Sequence, residues 1–118
     1  MIETPTEAII GQYEPSRDEV QALIKHYANL YNVDVEMSLS IANCESGFTY
    51  DAHNPADPNS GSYGTYQFQL ATFEMFAEEM EEDLDIHNPE DNIKLANWAF
   101  STGKLSHWSC AKLTGYIE

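Results

Sequence analysis

Hydrophobic residues recur at helical spacing in two segments of the first half of the chain. Ser16 begins a capping box with Glu19, which predicts the start of a helix. Its core-facing stripe is Val20, Leu23, Ile24, Tyr27 and Leu30. Asp34 is the predicted N-cap of a second helix that runs to about Cys44. The inward residues predicted for that helix are Val35, Leu39 and Ala42.

Two further helices follow in the second half. The third is predicted from about Leu70 to Glu82, with Phe73, Phe76 and Met80 in the core. Asn88 caps the fourth, Pro89 suits its first position and Gly103 its end. The inward residues of the fourth helix are Ile93, Ala96 and Phe100. A short terminal helix or turn carries Trp108 and Cys110.

Between the second and third helices, residues 50–66 have the composition of a loop. Turn-forming pairs and triplets punctuate it: Asn54-Pro55, Asp57-Pro58 and Asn59-Ser60-Gly61. A short hairpin fits within it, and a loop of this length in a compact domain is usually functional. Residues 1–14 lack periodicity and are interpreted as an arm or linker remnant, which leaves residues 15–118 as one domain. The predicted fold class is all-α, a mainly helical domain with a loop-rich cleft.

Composition limits the partners of this domain. The chain has 118 residues, of which 42% are hydrophobic, enough for one core. Its net charge of -15 argues against binding to nucleic acid or to an anionic membrane surface. No apolar run approaches the roughly 20 residues that span a bilayer, so we expect no membrane insertion. The sequence as given shows no signal peptide.

The acidic and histidine residues do not have the spacing of metal ligands. The run from Glu78 to Asp83 is most simply a solvated helix face, because it lacks the alternating ligands and glycine of a calcium-binding EF-hand loop. The four histidines are His26, His53, His87 and His107. They do not pair within one helical turn beside a carboxylate. We therefore predict no metal and no cofactor.

Glu45 is the strongest candidate for chemistry. It falls where the second helical pattern runs out into the loop, so its carboxyl group can be half-buried and still face a cleft. Burial raises the pKa of a carboxyl group, as a general acid near neutral pH requires. Downstream, the segment from Ser60 to Phe68 combines glycines with Tyr63, Tyr66 and Gln67, a composition that suits a sugar-binding wall.

Three sequence blocks resemble the lytic transglycosylase and goose-type lysozyme superfamily, especially its small resuscitation-promoting-factor-like members. The first runs from Tyr31-Asn32-Val33-Asp34 to Cys44-Glu45-Ser46-Gly47, and the second is Tyr63-Gly64-Thr65-Tyr66-Gln67-Phe68. The third comprises Asn88-Pro89-Glu90-Asp91-Asn92-Ile93 and then Trp108-Ser109-Cys110. The order and spacing of the blocks cover roughly residues 30 to 112. The resemblance implies a lysozyme-like fold and activity on peptidoglycan.

The resemblance also implies residue roles. Glu45 would act first as acid and then as base on the bond between N-acetylmuramic acid and N-acetylglucosamine, giving anhydromuramyl products. Ser46 and Gln67 would support substrate groups, and Tyr63 and Tyr66 would line the cleft. Two alternatives stay open. One is a hydrolytic muramidase in which Asp51 or Asp57 positions water. The other is a wall-glycan-binding module with little turnover.

The two cysteines bear on location. Cys44 and Cys110 alone are weak evidence for a disulfide. The resemblance implies a bridge between them, because similar domains link the position before the catalytic Glu to the C-terminal segment. A bridge would place the protein outside the cytoplasm, either secreted or in the cell envelope, including association with a phage or secretion apparatus. The expected partner is peptidoglycan, and the protein is predicted to be a monomer.

Overall fold

A computed structural model describes residues 13–57 and 61–117. Most of the predicted N-terminal arm, residues 1–14, lies outside these ranges, so its boundary with the domain stays a prediction. Residues 58–60, which include parts of two predicted turns, and residue 118 also lie outside them.

The described chain contains five α-helices and one 3-10 helix. Helices α1 and α2 span Arg17–Leu30 and Val35–Ser46. Helices α3 and α4 span Leu70–Met80 and Pro89–Ser101. The 3-10 helix Leu105–His107 leads into the short helix α5, Ser109–Leu113. The predicted helical, lysozyme-like fold class is confirmed.

A small antiparallel sheet occupies the predicted loop. Its strands are β1 His53–Asn54, β2 Ser62–Tyr63 and β3 Phe68–Gln69, in the order β1-β2-β3. Tyr63 pairs with His53 on one side and with Phe68 on the other. The turn of residues 64–67 connects β2 to β3. The whole sheet belongs to the chain segment that joins α2 to α3.

Local capping explains where three helices begin. The Ser16 side chain accepts a hydrogen bond from the Glu19 backbone, and the Glu19 carboxylate accepts one from the Ser16 N–H, which completes the predicted capping box. Asp34 accepts from the backbone of Glu36 and Met37 at the start of α2. At the start of α4, Asn88 accepts from the Asp91 N–H at 3.0 Å. These starts agree with the sequence-based expectations.

The core departs from the predicted stripes at helix ends. Leu30, the last residue of α1, is 58% exposed. In α2 the predicted Val35 and Leu39 are only half-buried, whereas Ser38 and Ile41 are fully buried. The hydrophobic pattern predicted the wrong inward face for α2, because one of its buried residues, Ser38, is polar. Met80 is also half-buried, since α3 ends there rather than at Glu82.

The acidic run from Glu78 to Asp83 makes contacts with neighbouring lysines. Lys94 of α4 pairs with Glu82 at 2.6 Å, and Lys104 pairs with Glu79 at 3.2 Å. The Lys104 ammonium also lies 5.5 Å from the ring centres of Phe76 and Trp98. The first pair connects the segment just after α3 to α4, and the second connects the last turn of α3 to the segment after α4. Each contributes at most about 1 kcal/mol.

Cys44 and Cys110 form a disulfide that joins α2 to α5, with 5.9 Å between their Cα atoms. The bridge implied by the resemblance is therefore present. It closes a loop of 66 residues. No helix among residues 13–57 and 61–117 combines the length and apolar character needed to cross a bilayer.

Reduction of this disulfide should destabilise the domain. A loop of 66 residues corresponds to about 4 kcal/mol on the chain-entropy account. For a domain of this size, we expect thermal unfolding to shift down by about 10–20 °C. Calorimetry of the oxidised protein, with and without reductant, measures the shift. The double variant Cys44→Ser/Cys110→Ser should match the reduced protein and be insensitive to reductant, and an unchanged melting temperature on reduction would contradict the prediction.

Candidate active site

Glu45 lies in the last turn of α2, one residue before the helix ends, rather than just beyond a helix ending at Cys44. Its side chain is half-buried. The pKa of the Glu45 carboxyl group is raised to about 7, chiefly by desolvation and to a smaller extent by the negative charge of Asp57. A hydrogen bond from the Cys110 backbone lowers the pKa and partly offsets the rise. A carboxyl group in this state exchanges a proton readily near neutral pH.

Ser46 connects the end of α2 to the turn of residues 64–67. Its hydroxyl donates to the Thr65 carbonyl at 2.7 Å and lies 3.3 Å from the Ala42 carbonyl. The same oxygen accepts a hydrogen bond from the Thr49 N–H at 3.2 Å. Ser46 thus fixes the turn relative to its neighbour Glu45.

Asn92 of α4 holds the same turn from the opposite side. This fully buried amide accepts from the Tyr66 N–H at 3.1 Å and donates to the Tyr63 and Ile86 carbonyls, both at 3.2 Å. Gly64 makes this approach feasible, because a Cβ there would lie 2.3 Å from the Asn92 Nδ2 atom. The φ of Gly64, +85°, is also one that glycine favours.

Tyr66 is a core residue, so the prediction that it lines the cleft is wrong. Its side chain is 0% exposed. The hydroxyl lies 2.6 Å from the Ser38 Oγ, which itself donates to Asn97 at 2.6 Å. The indole N–H of Trp108 donates to the Tyr66 carbonyl at 2.9 Å. Tyr66 therefore anchors the turn in the interior and does not meet a ligand.

Gln67 lies at the end of this turn, half-buried and in a left-handed conformation with φ +53°. Its side-chain nitrogen donates to the Ala52 carbonyl at 3.0 Å and to the Gly64 carbonyl at 2.8 Å. Because these bonds use both amide protons, the amide oxygen is the group that Gln67 can offer to a ligand. Gln67 lines a cavity of about 180 Å³ together with Phe68, Gln69, Thr72, His107 and Trp108.

Tyr63 is half-buried in β2, and its ring stacks on His53 with 4.4 Å between centres and 6° between planes. The ring of His87 meets Tyr63 edge-on at 5.1 Å.

The two candidate second carboxylates, Asp57 and Asp51, differ in position. Asp57 is half-buried, accepts a hydrogen bond from the Ser62 hydroxyl at 2.6 Å and acts electrostatically on Glu45. Asp51 is exposed at the edge of the loop.

Within the part of the chain that the structure describes, no three His, Cys, Asp or Glu side chains are grouped so that they could hold a metal ion. The candidate active site comprises Glu45 at the end of α2, Asp57 in the loop, and the turn that ends at Gln67.

The sequence pattern of the transglycosylase SLT domain matches residues 22–106 of this chain. The chain belongs to the transglycosylase SLT domain family. The matched region begins within α1 and extends past the end of α4, so it includes both Glu45 and the turn of residues 64–67. Membership of the SLT family supports peptidoglycan lytic transglycosylase activity in general, with peptidoglycan as the partner. No curated protein and no solved structure matches the chain.

Four buried residues hold Tyr66 and its turn and were given no role in the sequence analysis: Ser38, Asn92, Asn97 and Trp108. A sequence signal for the two asparagines exists. Asn92 lies next to Ile93 on the inward side of α4, and Asn97 lies one helical turn after Ile93 on the same side. Asparagine is a poor helix former, so two of them at core-facing positions indicate buried hydrogen bonds.

The fit between Gly64 and Asn92 can be tested with matched glycine variants. Gly64→Ala should destabilise the protein by about 3 kcal/mol or more, because it combines backbone strain with a steric clash. Gly103 has the same φ, +85°, but nothing lies within 4 Å of a Cβ there. Gly103→Ala should therefore cost only about 1 kcal/mol of backbone strain. Urea denaturation measures both, and equal losses would show that Asn92 does not restrict Gly64.

Burial of Glu45 should lower folded-state stability at high pH. Its ordinary pKa is 4.5 and its folded-state pKa is about 7, so the folded protein loses stability as pH rises between these values. Glu45→Gln removes the ionisation and should raise the melting temperature at pH 8 but leave it unchanged near pH 4. The control Glu36→Gln changes the charge equally on the exposed face of α2. Parallel behaviour of the two variants would contradict the prediction.

Proposed function

We propose that this SLT domain is a lytic transglycosylase in which Glu45 is the single acid and base. The observation that carries the proposal is the half-buried Glu45 carboxyl group with its pKa raised to about 7. At neutral pH such a group is available both as the acid that donates a proton and as the carboxylate that takes one back.

The proposed reaction needs no external water. The Glu45 carboxyl donates its proton to the oxygen that links N-acetylmuramic acid C1 to N-acetylglucosamine. The C1–O bond breaks, and N-acetylglucosamine leaves with a free 4-hydroxyl group. The muramyl 6-hydroxyl oxygen then bonds to C1 while the Glu45 carboxylate takes its proton. The product is a 1,6-anhydro ring, and Glu45 ends protonated as it began.

Other residues of the site have supporting roles in this proposal. Ser46 positions the turn against Glu45 through the Thr65 carbonyl. Gln67 offers its amide oxygen to a hydroxyl or acetamido N–H of the glycan, because its own N–H groups are bonded to Ala52 and Gly64. Tyr63 provides aromatic surface in the neighbouring cavity, which Ala52 and Gly64 also line. Tyr66 acts only through the turn that it anchors.

Hydrolysis is the second candidate, and the position of Asp57 favours it over a non-catalytic role. An inverting glycosidase pairs its acid with a carboxylate about 6.5–9.5 Å away that activates water. Asp57, whose charge acts on Glu45, is the carboxylate suited to that role, whereas the exposed Asp51 has no such coupling to Glu45. In the transglycosylase reaction, Asp57 instead only helps to keep Glu45 protonated.

We also propose that the protein works outside the cytoplasm as a monomer. The disulfide between Cys44 and Cys110 supports an oxidising compartment, where peptidoglycan is also found.

Digestion of purified peptidoglycan followed by mass analysis of the products tests the reaction. We expect glycan ends that are lighter by one water than reducing ends. Glu45→Gln should lower the rate at least a thousandfold, because the amide cannot donate an acidic proton. The control Glu36→Gln on the same helix should retain full activity. Reducing ends as the main product would establish hydrolysis, and an active Glu45→Gln variant would exclude Glu45 as the acid.

Asp57→Asn separates the two reactions in a second way. For the transglycosylase, removal of the Asp57 charge lowers the pKa of Glu45. The fall of activity at alkaline pH should then begin at a lower pH, while anhydro products persist. For the hydrolase, the variant should lose product formation across the pH range.

A further inference from the structure

A second cavity, of about 170 Å³, has no lining residue in common with the cavity beside Gln67. Its lining residues include three with aromatic rings, one aliphatic and one acidic: Tyr50, Tyr63, His87, Ile86 and Asp51. The rings of Tyr63 and His87 touch edge to face at 5.1 Å, which gives the cavity an aromatic wall. Ile86 is a buried residue of the lining.

The carboxylates around this cavity are negatively charged, and no Lys or Arg is among the described lining residues. Asp51 is the charged side chain among the described lining residues. Two further carboxylates lie close by: Asp85 accepts a hydrogen bond from the His87 N–H at 2.9 Å, and Glu14 is near enough to raise the pKa of Tyr50, after the larger effect of desolvation. In a chain of net charge -15, this arrangement favours a cationic ligand and disfavours an anionic one.

The polar groups of the lining residues also bear on whether the ligand is a sugar ring or an ammonium group. A sugar ring presents donors and acceptors together and is usually bound by amide or guanidinium groups as well as carboxylates. No Lys, Arg, Asn or Gln is among the described lining residues. A carboxylate at the edge, aromatic rings at the side and an aliphatic base instead complement an ammonium group on an alkyl chain.

The cavity shares a wall with the candidate active site. Ala52 and Gly64 line it, and their carbonyl oxygens hold the Gln67 side chain. A group that branches from a glycan bound beside Gln67 therefore has this cavity as its neighbour.

We propose that this cavity, the Tyr63 cavity, binds a primary ammonium group on a short alkyl chain. In a peptidoglycan substrate, that group is the free side-chain amine of the peptide stem. The ligand class follows from the cavity alone, whereas its place on the substrate rests on the proposed function. The cavity would favour strands whose stems are not yet cross-linked through this amine.

Direct binding tests the ligand class without any turnover. The probe is Nα-acetyl-L-lysine methylamide, and its control is the norleucine analogue, in which a hydrogen atom replaces the ammonium group. Titration of the 15N-labelled full chain should move the amide signals of residues 50–52 and 86–87 with the lysine probe. The norleucine probe should bind at least fivefold more weakly. Equal affinity for the two probes, or shifts confined to other regions, would overturn the proposal.

Charge-matched variants separate the cavity from the general acidity of the protein. Asp51→Asn should weaken the lysine probe at least threefold. Asp83→Asn makes the same charge change at an exposed position in the acidic run and should leave the affinity unchanged. Tyr63→Leu should also weaken binding, since it removes the aromatic wall. Equal effects of the two aspartate variants would show that net charge alone attracts the probe, which would refute a built site.

Kinetics on defined glycan strands then test the role on substrate. Strands with free stem amines should have a kcat/KM at least threefold above strands with acetylated amines, mainly through KM. Asp51→Asn should reduce this ratio to about one. A ratio of one in the wild-type protein would reject the cavity as a stem site. Absence of cleavage of either strand would instead refute the proposed function, and the probe titration would still decide the cavity.

Discussion

The site depends on the requirement that buried backbone groups be hydrogen-bonded, which applies to the turn of residues 64–67. Its partners come from three parts of the fold: Ser46 of α2 at the Thr65 carbonyl, Asn92 of α4 at the Tyr66 N–H, and Trp108, just before α5, at the Tyr66 carbonyl. Because each partner belongs to a different element, the turn has one position relative to all of them. Gln67, at the end of the turn, is therefore also fixed relative to the end of α2, where Glu45 lies.

The state of Glu45 results from opposing effects that the same elements produce. Desolvation is the largest effect on its pKa, and the charge of Asp57 acts in the same direction. The Cys110 backbone opposes both, and the disulfide to Cys44 holds that backbone beside the residue preceding Glu45. Partial burial therefore costs folding stability at neutral pH and keeps a proton available for transfer. If Glu45 has the proposed role, this loss of stability accompanies a gain in activity, as is common at active sites.

The acidity of the protein affects how it can recognise a wall polymer. The chain has 20 acidic and 5 basic residues, and Lys94 and Lys104 are already paired with Glu82 and Glu79. Charge attraction to an anionic wall is therefore weak at best, and repulsion between exposed charges is screened beyond about 8 Å at physiological salt. In the proposed mode of binding, the Gln67 amide oxygen accepts hydrogen bonds from the glycan and the Tyr63 ring provides aromatic contacts, and neither interaction depends on long-range charge.

The sequence by itself determined the features that depend on neighbouring residues. Ser16 with Glu19, Asp34, and Asn88 with Pro89 start their helices through contacts within one turn, and Glu45 falls at a helix end for the same local reason. Only the tertiary structure decided which tyrosine of the 63–67 segment is buried, because the sequence around Tyr63 and the sequence around Tyr66 are both rich in small and polar residues. It alone brought Asn92 to Tyr66 across 26 positions and Asp57, rather than Asp51, to Glu45. Burial and electrostatic coupling arise from contacts between distant segments, which a one-dimensional pattern does not contain.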